Sequence, residues 1–216
     1  MSEYHQFCGL ARALDVIGDR WNLLIVRELL IAERRHHELR AALPGIATNL
    51  LSARLQHLAA AGIVQRCDEA GRKAVRYRLT DLGQGLRGPV HELVRWGATF
   101  MAAGPRPDDV VQPQWLGLAV EALLPATGLP TGGGIGVHAD GLDLTVRLTP
   151  DGVHVTPGRD DGVDATVTGP TAAVLGLFAG ALTPRSSAAR TVEIHDPHGL
   201  LARVLTVAAT GTARPG

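Results

Sequence analysis

The 216-residue sequence predicts an α+β fold in two domains, residues 1–104 and 105–216. Apolar residues recur at helical spacing through most of the first part, but along residues 142–148 they alternate strictly, as on an antiparallel sheet with one exposed face. A Pro-rich polar stretch at residues 104–109 is typical of a linker. The formal charge changes sign there, because residues 1–104 hold 14 Lys and Arg against 10 Asp and Glu, and residues 105–216 hold 7 against 11.

The positive first domain is where we expect binding to a polyanion, because neutralisation of phosphates and release of counterions drive such binding. The chain has two cysteines, Cys8 and Cys67, too few for the disulfide framework of a small secreted domain. No segment is typical of a signal peptide or of a membrane span of about 20 apolar residues. We therefore expect a cytoplasmic protein with no membrane partner.

The chain begins with helical periodicity. Residues 9–32 predict a long amphipathic helical segment, which Gly18 and Asp19 could interrupt. The large apolar ring of Trp21 is expected in the core.

Two short helices with a tight turn follow, separated by Pro44-Gly45. Each carries leucines at helical spacing on one face, and the second helix has a polar opposite face whose donors and acceptors can meet base edges in a major groove. The leucines are Leu39, Leu43, Leu51, Leu55 and Leu58. The polar residues are Thr48, Asn49, Ser52, Gln56 and His57.

A β-hairpin is predicted next, with strands at residues 63–67 and 74–79 around a charged, Gly-containing turn. A solvated turn is the ordinary explanation for such charges. Directly after a candidate recognition helix, however, Arg72, Lys73 and Arg76 become candidates for phosphate or minor-groove contacts. The first domain is thus predicted to be a winged helix-turn-helix domain that binds double-stranded DNA.

Among the polar residues, Thr48, Asn49, Ser52 and Gln56 are the candidates for base contacts, the alternative being solvated surface. The candidates for phosphate contacts are Arg35, Arg54, Arg72, Lys73 and Arg76. Arg35 and Arg54 could instead be structural ion-pair partners.

Residues 82–101 predict a further helix, with Thr80 as its N-cap and an apolar stripe that ends in Trp96 and Phe100. This stripe has more apolar area than a small winged domain needs. We therefore predict a homodimer interface made with the N-terminal segment, the alternative being packing within one subunit.

The second domain is predicted to alternate helices and strands, as in an α+β domain. Helices are expected near residues 114–125, from Pro170 to residue 179, and at residues 200–207. Strands are expected at residues 135–139, 142–148, 153–156, 165–168 and 191–194.

The first half resembles the HxlR-type winged-helix transcription regulators over roughly residues 8–97. The residues that carry the resemblance are Cys8, the stretch LDVIGDRW at 14–21, Leu24, Ile25, Arg27, Glu28, Leu29, Arg35, Glu38, Leu39, Leu51, Ser52, Arg54, Leu55, Gly62, Ile63, Val64, Arg66, Tyr77, Leu79, Thr80, Gly83 and Trp96. The resemblance implies homodimers on pseudo-palindromic operators, acting as regulators and not as enzymes. The sequence departs from the family at His36, where an aromatic residue is usual.

The second half resembles the sterol-carrier-protein-2-like domain, an α/β fold with an apolar cavity. The carrying residues lie at 164–170, 175–180, 182, 184, 191–194 and 200–205, and the sequence departs at residues 195–198. The resemblance implies a lipid-like or other apolar small ligand. The alternative is that this domain only braces the dimer, which a filled interior would favour.

Cys8 lies just ahead of the first helix, where the helix dipole can lower the pKa of a thiol. The family resemblance implies a possible redox or electrophile sensor at this position. The alternative is a small buried apolar residue. No cofactor or metal is expected, because adjacent His36 and His37 diverge on a helix and His195 and His198 straddle a proline. No nucleophile elbow or Gly-rich phosphate loop indicates an enzyme.

Overall fold

The computed structural model describes residues 4–68, 75–101, 104–125, 127–183 and 190–212. The chain divides into two compact units, Met1–Val90 and His91–Gly216. The two domains predicted to meet at residues 104 and 105 stay a prediction. Among the described residues, no helix combines the length and the apolar character needed to cross a membrane.

The first unit is mainly helical and contains a small sheet. Its elements are α1 (Gly9–Ile17), α2 (Asn22–Ile31), β1 (Arg34–Arg35), α3 (His36–Ala42), α4 (Thr48–Ala60), β2 (Val64–Asp68), β3 (Val75–Leu79) and α5 (Asp81–Gln84). The predicted helix-turn-helix corresponds to α3 and α4, and the predicted hairpin strands correspond to β2 and β3. The predicted turn of the hairpin lies outside the described residues.

The predicted helical segment over residues 9–32 is two helices, interrupted between Ile17 and Asn22. Trp21 precedes α2 with a φ of 85°, a left-handed conformation that no helix can continue through. Its ring is half-buried, with the Arg20 guanidinium 5.4 Å from the ring centroid. The prediction of a core position for Trp21 was therefore wrong, because a residue in this connecting turn keeps one side towards solvent.

The predicted leucine faces of α3 and α4 are confirmed. These leucines are at most 1% exposed and belong to the core of the unit, together with Ile25 of α2. Burial of each leucine contributes about 1.5–3 kcal/mol, so the turn between α3 and α4 is fixed mainly by apolar packing. Gly45, in that turn, has a φ of 88°, which favours glycine.

The sheet of the first unit has the order β1-β3-β2 and is antiparallel throughout. Its two-residue strand β1 was not predicted, since two residues are too few to display an alternating pattern. Pairing places Arg35 opposite Arg76 and Arg34 opposite Tyr77.

The predicted continuous helix over residues 82–101 was wrong. The chain forms α5 and then α6 (Arg87–Ala98). Pro89 lacks a backbone N–H, so it interrupts a longer helix but is tolerated in the first turn of α6. Thr80 caps α5 as predicted, since its Oγ1 accepts a hydrogen bond from the Gly83 N–H at 3.1 Å.

The second unit contains a sheet and further helices. Its elements among the described residues are α7 (Trp115–Leu123), β4 (Gly134–Ala139), β5 (Leu142–Thr149), β6 (Gly152–Pro157), β7 (Ala165–Gly169), α8 (Thr171–Phe178), β8 (Glu193–His195) and α9 (Leu200–Thr212). The strand order of the sheet is β6-β5-β4-β7-β8. All predicted helices and strands of this part occur, with the last strand displaced towards His195. The sheet is mixed, because β4 and β7 pair in parallel.

The described residues of the second unit form one cluster of buried apolar side chains. Alternate residues of β4 and β5, such as Val137 and Val146, pack with Phe178 of α8 and Val204 of α9, and all four are fully buried. An open groove of about 570 Å³ lies on the surface of this unit. It is lined by Gly128, Leu129, Pro130, Ala202, Arg203, Thr206 and Val207.

Candidate DNA-binding surface

The helix α4 has one buried leucine face and one polar face. Thr48 and Asn49 occupy its first turn, and both are exposed. Gln56 is exposed two turns later, and Ser52 between them is half-buried. Three of the four candidates for base contacts are therefore open to an approaching ligand over about two helical turns.

Asn49 keeps part of its hydrogen-bonding capacity free of helix contacts. Its Oδ1 accepts a hydrogen bond from the Leu50 N–H at 2.9 Å. Its amide group remains on the exposed first turn, where side chains of a recognition helix meet base edges.

Ser52 is held by the neighbouring helix. Its Oγ donates to the Thr48 carbonyl oxygen at 3.1 Å and lies 3.0 Å from Nε2 of His36, the first residue of α3. Because the hydroxyl proton is directed to Thr48, His36 Nε2 is the donor of the second bond. The histidine that departs from the family pattern therefore joins the two helices of the helix-turn-helix.

Arg54 and His57 lie on another flank of α4, facing the connection between α1 and α2. Arg54 Nη1 forms an ion pair with Asp19, and His57 Nε2 donates to the Val16 carbonyl oxygen at 2.9 Å. Arg54 thus forms an ion pair, which was the alternative to a phosphate contact for this residue. His57, grouped from the sequence with the groove-facing residues, is engaged inside the unit.

The basic residues Arg35 and Arg76 are brought together by the β1–β3 pairing. Glu38, in the first turn of α3, has an Oε2 that accepts a hydrogen bond from the Arg35 N–H at 2.6 Å. This hydrogen bond and the positive charges of Arg76, His37 and Arg35 lower the pKa of Glu38. The start of α3 is thus a region of positive potential.

Further cations lie on the same sheet and were not proposed from the sequence. Arg66 and Arg78 are exposed on β2 and β3, and Arg78 pairs with Glu33 at 3.7 Å. Strand alternation alone could not select them, because neither residue carries a distinguishing motif. Arg72 and Lys73 lie outside the described residues.

Cys8 is the N-cap residue of α1 and is exposed. The backbone N–H groups of Ala11 and Leu10, at the start of α1, lower the pKa of the thiol. Cys67 is half-buried in β2, and both cysteines are free. The alternative for Cys8, a small buried side chain, does not describe its position.

The described ranges contain no group of three or more His, Cys, Asp or Glu side chains that could hold a metal ion. The features of the first unit are instead an exposed polar helix face, a basic sheet edge and a tight turn between α3 and α4. They can present hydrogen-bonding side chains to a groove and positive charge to a phosphate backbone.

Two packed helices with a tight turn, followed by an antiparallel sheet, define a winged helix-turn-helix protein. The chain belongs to the HxlR-like helix-turn-helix family, whose family model matches residues 16–105. An HTH-type transcriptional regulator of Mycobacterium tuberculosis is 36% identical over 107 residues, which are 48% of this chain and 65% of that protein. The HTH-type transcriptional regulator YvaP of Bacillus subtilis is 37% identical over 92 residues, which are 42% of this chain and 84% of YvaP.

A solved structure of the reduced form of the transcriptional regulator YodB from B. subtilis is also similar. It has 29% sequence identity and a TM-score of 0.40, and the match covers 46% of this chain and all of YodB. The match to the mycobacterial regulator spans less than two thirds of that protein's length.

Proposed function

We propose that this protein is a transcription regulator that binds double-stranded DNA as a homodimer on a pseudo-palindromic operator. The observation that carries the proposal is the amphipathic α4, with fully buried leucines beneath exposed Thr48, Asn49 and Gln56. A solvent-facing helix needs no such row of amide and hydroxyl groups at its start, whereas a helix in a major groove does.

The small sheet and the hairpin turn predicted from the sequence supply the sequence-independent part of the binding. Arg35 and Arg76 are neighbours on the small sheet, and Arg72 and Lys73 belong to the hairpin turn predicted from the sequence. Cations at these positions approach phosphates on either side of the groove that α4 enters. Affinity then falls as the salt concentration rises.

A second copy of the chain is the proposed occupant of two apolar surfaces. Tyr4, Phe7 and Leu10 are exposed around the start of α1. Trp96 and Phe100 are each 66% exposed, and their rings form an edge-to-face pair with centroids 5.0 Å apart. Uncovered apolar side chains of this size are typical of an interface.

The second unit would transmit or stabilise the dimeric arrangement. The close packing of buried apolar side chains among its described residues favours a bracing role over a lipid-like ligand in an internal cavity. The alternative is an apolar small molecule in the open groove beside α9, where Leu129 and Val207 are apolar and Arg203 is basic. Native mass spectrometry of the protein purified from its source separates the two, because a retained ligand adds mass to each subunit.

A second proposed function is redox or electrophile sensing through Cys8. It is supported by the exposed thiol and by the backbone N–H groups at the start of α1, which lower the pKa of the thiol. A more populated thiolate reacts faster with oxidants and electrophiles. Unchanged DNA affinity after treatment with peroxide or diamide would exclude this function.

The experiment that tests the main proposal is repeated selection from a random library of DNA duplexes with the full-length protein. We expect enrichment of an inverted repeat, whose half-sites lie about one helical turn (~34–36 Å) apart. If the duplexes recovered after selection share no common sequence, operator recognition would be contradicted.

A further inference from the structure

The recognition helix α4 is bonded at two points, one in the last turn of α1 and one in the connection that follows it. Arg54 and His57 are three residues apart and therefore lie on the same flank of α4. Arg54 pairs with Asp19, and His57 donates to the Val16 carbonyl oxygen at 2.9 Å. Since a carbonyl oxygen only accepts, Nε2 of His57 carries the proton of this bond.

The segment that receives these bonds is itself fixed. The Val16 carbonyl oxygen also accepts from Nδ2 of Asn22, at 2.9 Å, and Asn22 is fully buried. The backbone N–H of Asn22 donates to the Asp19 carbonyl oxygen at 3.1 Å. A displacement of the C-terminal end of α1 therefore moves Val16 and Asp19 together, because these hydrogen bonds hold the two residues in a fixed relation.

The same helix α1 carries part of the apolar surface that was assigned above to a second copy. Leu10 and Leu14 are four residues apart, so they lie on one face, and both are exposed. Ala11 of α1 is buried within the unit. The helix thus has an uncovered apolar face, and its C-terminal end is bonded to the recognition helix.

We infer that Arg54 and His57 are positioning residues, which hold each recognition helix in a fixed relation to the helix α1 through which two subunits meet. They therefore set the distance and angle between the two recognition helices of the dimer, and with them the half-site spacing that is recognised. This inference rests on the proposed homodimer and its DNA binding. It gives Arg54 a role through Asp19 in place of a direct phosphate contact.

The two roles of Arg54 differ in their dependence on salt and on Asp19. A phosphate contact contributes about 0.9 to the slope of log affinity against log salt concentration, and Asp19 would weaken it. An ion pair with Asp19 that only positions α4 leaves the salt slope unchanged. The decrease in DNA affinity is then the same whether Arg54 or Asp19 is replaced. Removal of both partners then costs no more than removal of one.

The experiment compares the full-length wild type with Asp19→Asn, Arg54→Gln and the double variant. The probes are the inverted-repeat duplex selected by the wild type, the same duplex lengthened or shortened by one base pair between its half-sites, and a single half-site. Each affinity is measured over a series of salt concentrations. The melting temperature of each variant identifies those that do not fold.

We expect both single variants to lose about tenfold in affinity for the selected duplex, within the usual range of energetic coupling between sites. The double variant should lose no more than either single one. Binding to the half-site should not change, and the altered spacings should be discriminated less. The expected salt slopes equal that of the wild type.

His57 provides a second test that does not remove a charge pair. His57→Phe abolishes the bond to Val16, whereas Gln at this position has an amide that can donate to the same carbonyl oxygen. The expected result is loss of spacing selectivity in His57→Phe and its recovery in His57→Gln. Equal behaviour of the two variants on all four duplexes would overturn the role of His57.

The role of Arg54 is overturned if Arg54→Gln lowers the salt slope by about 0.9 while Asp19→Asn binds as well as the wild type or better. Equal losses on the half-site and the full duplex would also overturn it. Failure of the proposed function would give a different result, because the wild-type protein would then select no duplex at all.

Discussion

His36 Nε2 lies 3.0 Å from Ser52 Oγ, so the first residue of α3 is bonded to the recognition helix one turn after its start. The hydroxyl proton of Ser52 is already directed to the Thr48 carbonyl oxygen. His36 therefore stabilises the orientation of a side chain that is predicted to contact bases.

Replacement of His36 by Phe should change the sequence preference. The variant has an aromatic residue, which is usual at this position in the HxlR-type regulators, but it lacks the hydrogen-bond donor to Ser52. We expect a loss of about 0.5–1.5 kcal/mol in stability, the net value of one hydrogen bond, and weaker selection at the base pairs nearest Ser52. Thermal melting and library selection measure these two effects.

His37→Phe is the matched control for this prediction, since His37 is the exposed neighbour in the same helix. It should keep the wild-type preference. An identical set of selected sequences for His36→Phe and the wild type would contradict a role of His36 in specificity.

Replacement of Asn49 by Ala should reduce discrimination between the selected duplex and a scrambled one. A bidentate amide contact contributes about 1–3 kcal/mol of discrimination. Affinity for scrambled DNA should stay nearly constant. Gln84→Ala, which removes an exposed amide from α5, serves as the control. Equal losses of Asn49→Ala on both duplexes would show that Asn49 does not read bases.

Replacement of Lys73 by Ala should make binding less dependent on salt. Loss of one phosphate contact lowers the slope of log affinity against log salt concentration by about 0.9, with similar effects on specific and scrambled DNA. Arg159→Ala removes an exposed cation from the acidic half and should leave the slope unchanged. The measurement is a titration at several salt concentrations, and an unchanged slope for Lys73→Ala would exclude the contact.

Cys8 should react with iodoacetamide at a lower pH than an ordinary thiol does. The backbone N–H groups at the start of α1 favour the thiolate, so the lowered pKa of Cys8 raises the thiolate fraction near neutral pH. The alkylation rate should reach its plateau below the pH required by a free cysteine. Cys67→Ser isolates the signal of Cys8. A rate that is still rising above the pKa of free cysteine, about 8.5, would contradict the prediction.

The dimer should dissociate when a charge is introduced into its apolar surface. Trp96→Glu is expected to shift the sedimentation coefficient from that of a dimer to that of a monomer at micromolar concentration, because burial of an unpaired carboxylate in an interface is unfavourable. Leu82→Glu is a control with the same exposure, 66%, on α5. A monomeric wild type, or dimers of both variants, would contradict the assigned interface.

Helix and strand positions were largely predictable, because burial of one face imposes a period. The leucines of α3 and α4 and the alternation along β5 are examples. The points at which helices are interrupted were less predictable. Trp21 takes a left-handed conformation, and Pro89 divides one apolar pattern into two helices.

The candidate site was predictable only in part. The exposure of Asn49 and Gln56 follows from helical spacing relative to Leu51 and Leu55. The bond of Arg54 to Asp19, 35 residues earlier, does not, since it depends on how α4 packs against the end of α1. The contact of His57 with Val16 spans 41 residues and has the same origin.

The most direct test of DNA reading by α4 is cleavage from a probe attached to it. Asn49→Cys in a background with Cys8→Ser and Cys67→Ser carries a copper–phenanthroline group, and the cuts in the selected duplex are mapped. We predict two clusters of cuts, one in each half-site, with centres about 10 base pairs apart. Cuts that are uniform along the duplex, or absent although the protein is bound, would contradict the placement of α4 in the major groove.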